Sequence, residues 1–225
     1  MPIRTPFIPE LDTIQALKAA GFFVREHRVN ALWNTILHRL YDPLPLVWPP
    51  SGAATSSRAT VISAEIYPQA DDTHGQRADL AVSEVVLRPP ASGAGSSGSS
   101  PTFQQTFKLV YEGKGTSNTS ATPDTLKSQM QTFLLASDVG HTTPCWVLGV
   151  KGTVVGFFAW NGSASMFRVV PNTSGATRDI TSLTVSTRGG QDYDLSDHAQ
   201  YLTAVAMLAL LPDSQPDTPA TAPAH

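Results

Sequence analysis

The chain has 225 residues, with 15 basic and 18 acidic side chains and a net charge of -3. Charged residues are 15% of the total, against about 25% in an average soluble protein, which excludes a disordered polyelectrolyte and a basic nucleic-acid coat protein. The length suits one domain with a large core of its own, and any grip on nucleic acid must come from a local site rather than from overall charge.

The first residues, Met1-Pro2-Ile3-Arg4-Thr5-Pro6, carry no apolar signal core. Leu11 to Ala20 reads as a short helix. Glu26 to Leu40 reads as a stronger one, because Val29, Trp33, Ile36, Leu37 and Leu40 recur at helical spacing. Pro43 to Ser57 is rich in Pro, Ser and Gly and reads as a long surface loop. Strands are expected at Ala59 to Tyr67 and at Asp79 to Leu87. Residues 91 to 101, ASGAGSSGSSP, read as a flexible linker. A third strand follows at Phe107 to Gly113, so the linker would be the loop of a long hairpin. Thr122-Pro123-Asp124 opens a helix that runs to Ser137. Cys145 to Val150 and Thr153 to Trp160 read as strands about the turn Lys151-Gly152, and Ser165 to Val170 as another after Asn161-Gly162. A last helix is expected from Ser196 to Leu211, capped by Ser196 or Asp197. From Pro212 the chain reads as a disordered tail, residues 212–225.

The order helix, three strands, helix, strands, helix predicts an α/β domain over residues 1–211, with a central mixed sheet flanked by helices. Cys145 is the single cysteine. It excludes an internal disulfide and a cysteine-based zinc site, and it suits an intracellular compartment. No apolar stretch approaches the 18 or so residues that span a bilayer, so a soluble chain without a membrane partner is expected.

One stretch carries chemistry: Phe107-Lys108-Leu109-Val110-Tyr111-Glu112-Gly113-Lys114. Alternate strand residues share a face, so Val110, Glu112 and Lys114 point the same way. If this strand pairs with the one before it, Asp79 comes close to Glu112. Two close carboxylates resist ionising together, and a divalent cation relieves that cost. Oxygen ligands with several waters suit magnesium. An amine beside them can orient a water or offset developing negative charge. Together these are the parts for metal-assisted phosphodiester hydrolysis.

The pattern resembles the PD-(D/E)XK nuclease superfamily, the restriction-endonuclease-like fold. Asp79 matches the motif Asp on the second strand, and Glu112-Gly113-Lys114 matches Glu-x-Lys on the third. The resemblance spans roughly Arg25 to Trp160 and implies an αβββαβ core. It implies magnesium, with manganese as a substitute, held by Asp79, Glu112 and the Gly113 carbonyl. Glu26, on the first helix and on its apolar face, would support the metal or its waters. Lys114 would activate the attacking water. Gln129-Met130-Gln131-Thr132-Phe133 resembles the Gln-x-x-x-Tyr pattern of the following helix, which would make Gln129 position Lys114 or the phosphate. The spacing Glu26 to Leu32-Trp33 looks like a fungal branch of such proteins. The implied partner is nucleic acid, DNA before RNA. Ala78 stands where a proline often precedes the motif Asp.

Other readings stand beside these. Glu112 and Lys114 could be an exposed pair of little worth. Asp79 could begin a strand and pair with Arg77, Glu26 could simply open a helix, and Gln129 could be an ordinary surface residue. Glu84 has the opposite parity to Asp79 and should face solvent. Asp71, Asp72 and His74 read as a solvated loop. The weakly acidic balance motivates a second functional reading, a nuclease-derived interaction module with little or no catalysis.

Overall fold

A computed structural model describes residues 7–41, 57–66, 77–88, 102–137, 142–174 and 179–216. The loop expected at 43–57 (all but Ser57), the linker at 91–101, Asp71, Asp72 and His74, and the tail beyond residue 216 lie outside the described residues.

The elements are α1 (Leu11–Ala19), a 3-10 turn (Phe22–Val24), α2 (Glu26–Tyr41), β1 (Ser57–Ile66), β2 (Ala78–Arg88), β3 (Thr102–Lys114), α3 (Pro123–Ala136), β4 (Cys145–Lys151), β5 (Val154–Trp160), β6 (Met166–Ser174), β7 (Asp179–Ser186), β8 (Tyr193–Asp194) and α4 (His198–Leu210). The strands form one open sheet in the order β1-β2-β3-β4-β5-β6-β7, with β8 added to β5. Strands β3 and β4 run parallel and every other pair is antiparallel. The α/β class and the mixed sheet flanked by helices are therefore as expected.

The sheet buries both faces, which is why β4 and β5 read as nearly continuous apolar runs. On one face Leu80, Leu109, Tyr111, Trp146, Leu148 and Phe157 pack with residues of α1, α2 and α4. The predicted stripe of α2 is the one buried there: Val29, Trp33, Ile36, Leu37 and Leu40. On the other face Ala81, Phe107, Val110, Val147 and Phe158 meet Met130, Phe133 and Leu134 of α3. Cys145 is buried in this second cluster, and burial pushes its thiol well up.

Local chemistry sets the ends. Thr122 caps α3 through a reciprocal bond pair with Thr125, and Pro123 fills the first turn. Asp197 rather than Ser196 caps α4, accepting from the Gln200 amide at 3.0 Å. Gly152 turns the chain between β4 and β5 at a φ of 60°, a conformation that favours glycine. After α4 the chain still touches the body at its first residues, where the Trp146 indole N–H donates to the Ser214 carbonyl at 3.0 Å.

Two differences matter for the site. Strand β3 runs from Thr102 to Lys114 rather than from Phe107 to Gly113, so it carries Lys114 as its last residue. Its pairing with β2 shifts register beside Val82 and Ser83. Inward of that irregularity Leu80 lies opposite Tyr111, which puts Asp79 and Glu112 at the next position along the two strands.

Candidate active site

Asp79 and Glu112 are buried polar residues at the sheet's edge of apolar packing, 7% and 5% exposed. Buried carboxylates need partners, and each finds them nearby. The Gly113 amide donates to Asp79 Oδ2 at 2.9 Å. Asp79 is thus tied to β3. The Lys114 ammonium lies 2.7 Å from Glu112 Oε1 and 3.1 Å from Glu26 Oε1. The other oxygen of Glu112, Oε2, is buried and has no hydrogen-bond partner.

Glu26 reaches this cluster because the chain beyond Lys114 is strapped to the segment that leads into α2. The Thr116 amide donates to the Phe23 carbonyl at 2.9 Å, and the Ser117 hydroxyl donates to the Val24 carbonyl at 2.7 Å. The contact is close: a Cβ on Gly115 would sit 2.2 Å from the Val24 carbonyl oxygen. The end of β3 and the start of α2 are thereby held side by side.

The electrostatics follow from burial and crowding. Burial above all, then the Asp79 charge, pushes the Glu112 carboxyl up to about 7, against the opposing pull of Lys114. Burial also raises Asp79, opposed by the Gly113 amide, Lys114 and a hydrogen bond from the Asn30 side chain. Burial disfavours the charge on Lys114. Its bond to Glu112 and the charges of Glu112 and Asp79 outweigh that, so the lysine stays protonated above its ordinary range.

The structure gathers Asp79, Glu112, Gly113, Lys114 and Glu26. One of these differs in detail from expectation. The helical wheel put Glu26 on the buried face, yet its side chain is 41% exposed. As the first residue of α2 it stands at the open end of the helix, where a wheel drawn for the helix interior does not apply, and it pairs with Lys114. Gly113 also holds Asp79 through its N–H, a bond that the resemblance did not imply. Gln129 is exposed on α3. Glu84 faces the rim as expected and pairs with Arg58 and Lys108, each at 3.0 Å.

Sequence reasoning missed Asn30 and Tyr111. The Tyr111 hydroxyl donates to Asn30 Oδ1 at 3.0 Å. The Tyr111 ring stacks on Trp33, with centroids 5.6 Å apart. One signal was present: Asn30 is four residues after Glu26, one helical turn along the same side.

The donor chemistry fits a hard cation at Asp79 and Glu112. Magnesium is commonly held by one or two carboxylates and keeps several waters, and Glu112 Oε2 is a buried oxygen without a donor. Among the described residues no group of three or more His, Cys, Asp or Glu side chains could hold a metal ion. The lysine between Glu26 and Glu112 offsets part of the negative charge that the acids gather here. No helix among the described residues is long and apolar enough to cross a membrane.

No family model matches the chain, and neither a curated protein nor a solved structure does.

Proposed function

We propose that this chain is a metal-dependent nuclease of the PD-(D/E)XK type, with a restriction-endonuclease-like αβββαβ core, that hydrolyses phosphodiester bonds of nucleic acid, DNA before RNA. The observation that carries the reading is the convergence of Asp79, Glu112 and Lys114 at the paired ends of β2 and β3, with Glu112 Oε2 buried and unsatisfied. Asp79 and Glu112 would hold magnesium, or manganese in its place. Bound there, the cation would polarise a phosphoryl oxygen and lower the pKa of a water.

The chain's own residues have distinct parts. Lys114 is protonated at neutral pH, so it serves as a fixed cation and donor. It orients the attacking water and offsets negative charge that grows on the phosphate. Glu26 and Glu112 hold the ammonium in place. Gly113 fixes the Asp79 carboxylate through its N–H. Arg25, His27 and Arg28, exposed and adjacent in the chain to Glu26, supply local basic groups that the net charge of -3 conceals.

The test is cleavage of double-stranded DNA, single-stranded DNA and RNA with magnesium or manganese, comparing the wild type with Asp79→Ala and Lys114→Ala. Cleavage that needs the metal and is lost in both variants is the expected result. Absence of metal-dependent cleavage on all these substrates would overturn it.

A second reading is favoured by the lysine itself. Lys114 pairs with both Glu26 and Glu112 without any ion, as a nuclease-derived interaction module with little catalysis would require. Metal titration separates the two, because the nuclease reading requires divalent binding that Glu112→Gln abolishes.

A further inference from the structure

Asn30 sits on α2 with its Oδ1 against the buried Tyr111 hydroxyl and against Gly113, the residue whose N–H holds the Asp79 carboxylate. An ionised carboxylate only accepts hydrogen bonds. The NH2 of Asn30 is the group left to face Asp79, because its Oδ1 is taken by the Tyr111 hydroxyl. That oxygen accepts from Tyr111 at 3.0 Å.

The pair also fills space that the motif would otherwise give to a side chain. A Cβ on Gly113 would lie 2.0 Å from the Tyr111 hydroxyl and 2.3 Å from Asn30 Oδ1. Glycine at the middle of Glu112-Gly113-Lys114 is what admits Tyr111 and Asn30 beneath the cluster. The same glycine supplies the second donor to Asp79, its N–H at 2.9 Å. With the Asn30 NH2 as the other, two neutral donors from different elements would fix one carboxylate in one orientation.

We propose that Asn30 is the positioning residue for Asp79, oriented in turn by Tyr111, so that the chain Tyr111–Asn30–Asp79 sets the direction in which the Asp79 carboxylate faces Glu112. Asn30 acts through Asp79 and touches no substrate. Its effect on catalysis rests on the nuclease reading; the hydrogen-bond chain does not.

The experiment has two arms on the full chain. In the first, the side-chain amide of Asn30 is followed by proton–nitrogen NMR without added metal. Slow exchange with solvent is expected in the wild type, with loss of that protection in Tyr111→Phe and in Asp79→Ala. A fast-exchanging amide in the wild type overturns the proposal, whatever the activity. In the second arm, cleavage is measured for Asn30→Asp, which keeps the shape and the acceptor for Tyr111 but replaces the donor. A fall in kcat of about tenfold or more is expected, the usual effect of removing a group that orients a metal-binding side chain, with KM changed less than about twofold. Tyr111→Phe, which keeps the ring on Trp33, should lower kcat in the same way and guards against misfolding of the Asn30 variant. If the wild type cleaves and both variants keep their kcat, the positioning role fails while the nuclease reading stands. If the wild type cleaves nothing, the nuclease reading fails and the NMR arm alone decides the chain.

Discussion

Glu112 and Lys114, two residues apart on β3, form a 2.7 Å ion pair through one carboxylate oxygen while the other oxygen stays buried and without a partner. The acid is half satisfied. The lysine holds it in place, and the spare oxygen remains open to a further positive group.

Removal of that lysine should separate charge from scaffold. Lys114→Ala is expected to lower metal-dependent cleavage by about a hundredfold or more, the usual range for loss of a positioned donor at a reacting group. Lys114→Arg keeps the charge and should retain more activity than Lys114→Ala. Single-turnover cleavage rates at saturating metal check both.

The stability of the metal-free protein should fall as pH rises from about 5 to 7. The Glu112 carboxyl loses its proton near 4.5 in an unfolded chain and at about 7 in the fold. Between these values the folded state binds more protons than the unfolded one, so each step up in pH favours unfolding. The full effect is roughly 3 kcal/mol at most. Asp79 is shifted in the same direction and adds to the slope. Urea unfolding in chelator at several pH values measures it, and Glu112→Gln should flatten the curve.

Glycine substitutions at the end of β3 should differ in a defined way. Gly113→Ala meets the ends of two side chains, at 2.0 Å and 2.3 Å, and these can shift at the expense of the Tyr111–Asn30 bond. Gly115→Ala meets the Val24 carbonyl oxygen at 2.2 Å and the Glu26 amide at 2.8 Å, which are backbone and must move with α2. Both should destabilise by about 1–3 kcal/mol, as overpacking does, with Gly115→Ala the worse. Thermal or urea unfolding of the pair gives the order.

Beneath the site, Trp33→Ala should cost about 3–5 kcal/mol, because it empties the space against Tyr111 in a closed core. Trp33→Phe should cost much less. The indole N–H is buried without a partner, so its removal breaks no hydrogen bond. Urea midpoints of the two variants check the contrast.

The parts of the site visible in the sequence were those that obey a period. Glu112 and Lys114 share a face because strand residues alternate, and Asp79 follows from the pairing of two apolar strands. The acids' supports have no such signature. Asn30 is a polar residue on a helix, and only the sheet beneath it turns it into a partner of Tyr111 and Asp79. The exposure of Glu26 was hidden because a helical wheel has no ends. Gln129 was named from a five-residue pattern alone; the packing of α3 is set by Leu126, Met130, Phe133 and Leu134, which leaves Gln129 exposed. Strand β7 also escaped notice. Its Ile180, Leu183 and Val185 are only partly buried among Ser and Thr, so the hydrophobic signal of a strand is diluted. The class of the fold was legible because α2, β4, β5 and α3 each bury a strong apolar pattern.

The strap between Ser117 and Val24 has a consequence for how the acids come together. Glu26 and Lys114 are far apart in the chain, and their meeting depends on the backbone bonds beside them rather than on attraction between their charges. The lysine then acts as an internal counter-ion. Assembly of the acidic centre needs no ion from solution, so on the nuclease reading a cation would load only after folding.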